Sequence, residues 1–403
     1  VTDFFQNGVI ATLHNLTNRS TDSMEKELME WSESRPMSLI LPCLYSELKG
    51  PALSNIIEHL SKASYISEII IGLDAANKEE FEHAREFFSK LPQPHVILWN
   101  DGPRLKKIDQ DINVHSLAPD QLGKGRNVWY CLGYFLASGK SKAVALHDCD
   151  VITYDRSIPA KLLYPVIHPT FDYVFCKGYY YRAHNEHFSG RVSRLLVLPL
   201  LTALKQVLGS HDYLDFLGSF RYILAGEFSM RADVVPSLRI PSDWGLEIGI
   251  LSEMHRRYSN QRICQVDIAN CYDHKHQDLS ENDQSGGLSK MTIDITKNIF
   301  RKLSTQGITL SIEQFRTIKA AYYRRALDLI DNYSNDASIN ELHVDRHKEE
   351  STVELFAQNI MDAGNMYLEN PMETPFMPTW SRVVSAIPDI YSDLHKAVSE
   401  DNQ

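Results

Sequence analysis

The 403-residue chain has no apolar stretch of the roughly 18 residues that a membrane span requires. The nearest, RLLVLPLLTALKQVLG, carries Arg194, Lys205 and a central Pro199, so no membrane partner is expected. The opening segment VTDFFQNGVIATLHN lacks the basic-then-apolar layout of a secretory signal. No C-x-x-C pair occurs. Cys43, Cys131, Cys149, Cys176, Cys264 and Cys271 are scattered, which excludes a zinc cluster and a disulfide frame and predicts reduced thiols in the cytoplasm. Positive charge is short, with 41 Lys+Arg against 52 Asp+Glu and a net charge of −11. That argues against nonspecific nucleic-acid binding, although a small anion needs only a local basic pocket. There is no internal repeat and no low-complexity tract. What remains is a globular composition, 43% apolar and 23% charged, long enough for one large domain or two ordinary ones.

Up to residue 150, apolar bursts alternate with helical stretches. MSLILPCLYSE (37–47), YISEIIIGLD (65–74), HVILWND (95–101) and KAVALHDCDVI read as strands. LSNIIEHLSKA, KEEFEHAREFFSKL and GKGRNVWYCLGYFLASGKS (123–141) read as helices. This alternation predicts an α/β fold with a mainly parallel sheet. Ligands of such sheets sit at the carboxyl ends of the strands. Here those ends carry Glu47, Asp74, Asp101, and Asp148 with Asp150. Beyond 150, YVFCKGYYYRA and RICQVDIANCYDHKHQD read as strands, the second running into a His-rich loop. SGRVSRLLVLPLLTALKQVLG reads as a loop opening a kinked helix, and GLEIGILSEMHRRYS as a helix. From about 297 the pattern is helical, with NYSNDASIN as an expected linker.

Asp148-Cys149-Asp150 is the strongest local feature. Residues i and i+2 of a strand share a face, so both carboxylates can address one spot. Hard oxygen ligands suit Mg²⁺ or Mn²⁺; a solvated loop past a strand is the alternative. Asp273, His274 and His276 cluster after a strand, and nothing in the spacing chooses between the two histidines. Gly123-Lys124-Gly125-Arg126 precedes a helix, where free N–H groups and a lysine favour phosphate. The spacing is not that of a Walker A loop, and Gly-Lys-Gly also makes ordinary turns. Ser189 and Gly190 repeat the arrangement, with Arg191 and Arg194 adding charge, or else they form an N-cap with surface arginines. Glu247 is a lone acid in an apolar turn-to-helix stretch; it either faces solvent or needs a partner.

Taken in order, PCLYSE, GKGRNVW, HDCDVI, GRVSRLLVLPLLTAL, LAGEFSM, GLEIGIL and QVDIANCYDHKH resemble the glucosyl-3-phosphoglycerate synthase family over roughly residues 37 to 300. These are retaining glycosyltransferases of the GT-A fold, with a close mannosyl-3-phosphoglycerate branch. The resemblance implies that Asp148-Cys149-Asp150 is the D-x-D motif, with Asp150 and His274 on a divalent metal, Mg²⁺ or Mn²⁺. It places Pro42, Leu44 and Glu47 on the uridine, Lys124 at the donor phosphates, and Asp74 and Asp148 with the donor nucleotide-sugar. Gly190, Arg191, Val192 and Ser193 fall on the acceptor phosphate loop, His276 close to the acceptor, and Glu247 near the reacting sugar. Departures from the family pattern are Tyr45-Ser46 in place of Asn-Glu, His276 in place of a polar residue, and Tyr181 beside Arg182 in place of a more basic pair.

The activity implied is transfer of glucose from UDP-glucose to the 2-hydroxyl of 3-phosphoglycerate, with a product that feeds compatible solutes or polysaccharide precursors. A homodimer is compatible with this reading. Its rivals are the same chemistry with GDP-mannose and a nucleotide-sugar-binding protein without turnover. The expected division is a polar, partly helical lead-in (1–36), a nucleotide-sugar-binding half (37–150), an acceptor-binding and catalytic half (151–296) and a helical C-terminal extension (297–403).

Overall fold

The structure, a computed structural model, describes residues 6, 8–17, 19–119, 121–184, 187–273, 287–371 and 376–403, apart from the side chains of His184 and His187. The strands are β1 (Ala11–Leu13), β2 (Met37–Leu44), β3 (Ile66–Asp74), β4 (His95–Trp99), β5 (Ala143–Leu146), β6 (Phe175–Tyr180), β7 (Ala183–His184), β8 (His187–Phe188), β9 (Phe228–Arg231) and β10 (Ile263–Ala269). The first seven helices are α1 (Thr21–Ser32), α2 (Pro51–Leu60), α3 (Lys78–Phe88), α4 (Pro103–Asn113), α5 (Lys124–Ser138), α6 (Ser157–Ile167) and α7 (Leu198–Leu208). After them come α8 (Asp212–Gly218), α9 (Leu246–Arg257), α10 (Gly287–Thr305), α11 (Ile312–Ile339), α12 (Arg346–Glu369), α13 (Trp380–Ala386) and α14 (Ile390–Asp401).

Eight strands form one sheet in the order β1-β10-β6-β9-β5-β2-β3-β4. β3 is buried on both faces, as a parallel strand between helical layers must be, which is why ISEIIIGLD is apolar nearly throughout. Every pairing in this sheet is parallel except those of β9, which runs antiparallel to both β5 and β6. The inversion matters for function. It brings the start of β9, rather than its end, to the edge where β5 and β6 finish. Leu146 and Lys177 both pair with Phe228, so Gly226 and Glu227 arrive beside Asp148.

The C-terminal part is built into this frame. The Trp380 indole stacks on Trp129 of α5 with ring centroids 4.2 Å apart. A Cβ on Gly133 would stand 2.0 Å from the Trp380 ring, so only glycine lets α5 pass there. Asn402 covers the β4 edge: Ile97 N–H donates to its side-chain oxygen at 2.9 Å and its amide donates to Ile97 O at 2.9 Å. No helix among the described residues is long and apolar enough to cross a membrane.

Several expectations need correction. The lead-in contains β1, a three-residue strand paired with β10. Polar NYSNDASIN is no linker, because α11 runs through it; Ile330, Tyr333 and Ala337 keep a helical spacing, and Ile330 and Ala337 are buried. The expected boundary at 296/297 falls inside α10. The boundary at 150/151 divides a continuous sheet, since β5 bonds to β2 on one side and β9 on the other. β5 also stops at Leu146, so the two acids stand on the loop beyond it, where Cys149 is buried and Asp148 and Asp150 are half-buried.

Candidate active site

The loop after β5, the first residue of α5 and the first turn of α9 converge. Lys124 Nζ lies 2.6 Å from Asp148 Oδ1 and 3.4 Å from Glu247 Oε1. Two glycines permit this closeness. A Cβ on Gly125 would come within 2.4 Å of Pro241 O, so its absence seats the start of α5 against the segment leading to α9. A Cβ on Gly226 would stand 2.6 Å from Asp148 Oδ2 and 3.0 Å from Lys124 Nζ.

Beneath this contact lies Glu227, fully buried. Tyr180 OH donates to its Oε2 at 2.8 Å, and Tyr272 OH donates to its Oε1. The two phenol rings stack, 3.6 Å between centroids. Lys177, also buried, donates from Nζ to Ala225 O at 2.6 Å. The balance of charge is negative. Burial, with Asp148, Glu47 and Glu227 nearby, pushes Asp150 up to about 7, against the pull of Lys124. Burial opposes the charge of Lys124, but Asp148, Glu247 and Glu227 outweigh it and raise its pKa, so the ammonium persists. Burial takes Lys177 down to about 8, partly offset by Glu247 and Glu227.

The donor-side candidates share the same sheet edge. Leu44, 49% exposed, pairs in register with Asp74, and Pro42 with Gly72. Glu47 lies in the 3₁₀ turn Tyr45–Lys49 that follows β2. Asp74 accepts from Asn100 Nδ2 at 2.7 Å and Asn127 Nδ2 at 3.0 Å. Burial raises its pKa, and the two amides moderate the rise. Tyr45, one of the departures, hydrogen-bonds to His83 Nδ1 at 3.2 Å.

The acceptor candidates form a turn leading into α7. Gly190 has φ +80°, a left-handed value that suits glycine. After it, Val192–Val197 is π-helical, a local widening often found at functional sites, and α7 follows with Pro199 in its first turn. Arg191 Nη1, Ser193 Oγ and Arg182 Nε are buried without a hydrogen-bond partner among the described residues. Arg194, read as added charge beside Arg191, is instead committed to Glu349 of α12 through 2.9 and 3.1 Å bonds. His274 and His276 lie outside the described residues. Among the described residues, no group of three or more His, Cys, Asp or Glu side chains is arranged to hold a metal.

No family model matches the chain. It is 42% identical over 400 residues to the glucosyl-3-phosphoglycerate synthase of Persephonella marina, covering 99% of both chains. It is 40% identical over 403 residues to that of Methanococcoides burtonii, covering 99% of this chain and 98% of the relative. The chain belongs to the glucosyl-3-phosphoglycerate synthase family. It is therefore a hexosyltransferase, and the likeness to these relatives extends along the helical C-terminal part as well as the central motifs. Among solved structures, the glucosyl-3-phosphoglycerate synthase of Mycobacterium tuberculosis with Mn²⁺, UDP-glucose and phosphoglyceric acid has TM-score 0.55 at 21% identity. That match covers 76% of this chain and 90% of the other, and the shared fold is GT-A.

Within this synthase-family chain, LAGEFSM is one of the ordered motifs, yet Glu227 is not among the residues expected at the site. A single acid between Gly226 and Phe228, just ahead of the short strand FSMR, is the only local signal there. Lys177 offered a similar one, a lysine inside YVFCKGYYY. Glu349 offered none, because its partner is 155 residues away in sequence.

Proposed function

We propose that this chain moves glucose from UDP-glucose to the 2-hydroxyl of 3-phosphoglycerate with retention of configuration, in the cytoplasm. The observation that carries the reading is the Lys124 ammonium joining Asp148, on the donor side, to Glu247, on the acceptor side. Pro42, Leu44, Glu47 and Asp74 line the strand ends where a nucleoside would lie. Lys124, at the N-terminus of α5, meets the diphosphate with both its charge and the helix dipole. The crowded carboxylates fit a divalent cation, since hard oxygen donors with surplus negative charge are what Mg²⁺ and Mn²⁺ take. Asp150, with Asp148 and His274, would hold it; once bound, it supplies Lewis acidity toward the departing diphosphate.

The acceptor phosphate would lie on Gly190, Arg191, Val192 and Ser193, with His276 assigned near the acceptor by resemblance. Arg191 Nη1 and Ser193 Oγ, buried and without a partner among the described residues, are the donors such a ligand would satisfy. Glu247 orients the acceptor hydroxyl. The acceptor oxygen bonds to the anomeric carbon on the face from which UDP departs, and the leaving phosphate oxygen takes the hydroxyl proton. Glu227 is excluded as a nucleophile, because it is fully buried and both its oxygens accept phenol hydrogen bonds.

Arg191→Ala tests the acceptor assignment. A charge-assisted hydrogen bond contributes about 1.5–3 kcal/mol, so acceptor use should weaken by roughly ten- to a hundredfold. UDP release with 3-phosphoglycerate and with glycerate, at varied concentrations, reads the effect. Wild-type protein should prefer 3-phosphoglycerate strongly and the variant should lose most of that preference. Equal use of both acids by the wild type would overturn the assignment.

A further inference from the structure

The two arginines of the acceptor turn have separate duties. All the nitrogens of Arg194 are engaged within the protein. Its Nη1 and Nη2 donate to Glu349 Oε2 and Oε1 at 2.9 and 3.1 Å, and its Nε donates to Ser189 O at 2.8 Å. Its guanidinium contacts the rings of Phe188 and Tyr333, 4.4 and 4.9 Å from their centroids. It is buried, as is Glu349. Three of its five N–H groups are thus spent inside the protein, and the bidentate edge that would clasp a phosphate is spent on Glu349.

Its contacts converge instead on the backbone of the turn. Arg194 N–H donates to Gly190 O at 3.0 Å, next to the Ser189 carbonyl that its side chain holds. Two residues from the far end of the π-helical stretch, Leu195 O accepts from Tyr322 OH of α11 at 2.6 Å. Three side chains of the C-terminal helices, Tyr322, Tyr333 and Glu349, therefore grip the turn directly or through Arg194. A buried ion pair is a poor source of stability, because desolvation cancels much of the attraction. A planar, two-pronged pair does fix an orientation, and that is what this one provides.

We infer that Glu349 and Tyr333 are positioning residues for the phosphorylated acceptor, acting through Arg194 on the Gly190–Ser193 turn, and that this is a function of the C-terminal helices. The inference rests on the acceptor reading above. It separates acceptor binding from donor binding, since the donor-side residues lie on β2 and the turn after it, β3, the loop after β5 and the start of α5.

The experiment compares wild type, Glu349→Gln and the double variant Arg194→Met/Glu349→Leu. Calorimetric titration with 3-phosphoglycerate and, separately, with UDP in the presence of Mn²⁺ gives both affinities, and thermal melting reports the fold. Misplacing a positioning shell by a fraction of an ångström to an ångström costs on the order of ten- to a hundredfold. That loss is expected for 3-phosphoglycerate affinity and for its KM in both variants, with UDP affinity and kcat at saturating acceptor close to wild type. The double variant removes both charges together and should keep a near-native melting temperature, so it remains informative if Glu349→Gln folds poorly. Unchanged acceptor affinity in the folded double variant would overturn the inference, as would equal weakening of acceptor and UDP. A wild-type protein that binds UDP but not 3-phosphoglycerate would instead overturn the acceptor reading itself.

Discussion

Replacing Asp150 with Asn should lower kcat/KM for glucosyl transfer by about a hundred- to a thousandfold, the range typical of removing one preorganised electrostatic group. The reason lies in the charges gathered past β5. Asp148, Asp150 and Glu227 crowd one place with Glu247 and Glu47 near them, and the partly exposed Lys124 and the buried Lys177 are the lysines that face them. A divalent cation held there would relieve the repulsion and supply positive charge toward the departing UDP. The variant keeps the shape of the side chain and loses its charge, so the fold should survive. Two measurements follow. Added Mn²⁺ should raise the melting temperature of the wild type clearly and that of Asp150→Asn far less. EDTA should abolish wild-type turnover. Full activity in EDTA, or wild-type turnover by Asp150→Asn, would remove the metal from the account. His274→Ala should behave like Asp150→Asn; wild-type activity there, with His276→Ala inactive, would exchange the two histidines.

Glu247→Gln should slow transfer by an amount on the order of 2–4 kcal/mol, the scale of a preorganised polar group, or roughly thirty- to a thousandfold. It should not change the stereochemistry. Glu247 stands 3.4 Å from Lys124 Nζ, at the junction of the donor and acceptor sides. In a front-face reaction its part is to place the acceptor hydroxyl and balance charge. On the proposed route the proton goes to the leaving phosphate oxygen, so a neutral amide of the same shape should retain residual activity. A double displacement would need a carboxylate attacking from the opposite face. Of the neighbouring acids, Glu227 is sealed beneath two tyrosines and Asp148 is bound to Lys124. Mass spectrometry of Glu247→Gln mixed with UDP-glucose alone should therefore find no glycosyl-enzyme. A covalent hexose on any carboxylate would contradict the front-face route.

What the sequence discloses here follows the range of the interactions. β2, β3, β4 and β5 announce themselves as apolar bursts ending in acids, because parallel strands are buried on both faces and ligands gather at their ends. Lys124, Asp148, Asp150, Glu247 and the Gly190 turn are each named from a local pattern or from the ordered motifs, and the fold brings Lys124, Asp148 and Glu247 together. Glu227 escaped because its place depends on the direction of β9, and an antiparallel strand reads the same as a parallel one along the chain. β1 escaped because three residues are too few to show a period. The polar stretch in α11 misled for another reason: only one face of that helix is buried, so its outer residues look like a linker. The Arg194–Glu349 pair spans two distant segments, and no spacing rule reaches across them.

The central claim is the transfer itself, and one measurement addresses it most directly. The purified protein is incubated with UDP-glucose, 3-phosphoglycerate and Mn²⁺, released UDP is quantified, and the product is assigned by NMR. The account predicts one UDP per product, with glucose joined through an α-linkage to the 2-hydroxyl of 3-phosphoglycerate. No UDP release above the rate without 3-phosphoglycerate, turnover of GDP-mannose in place of UDP-glucose, or a β-linked product would contradict it.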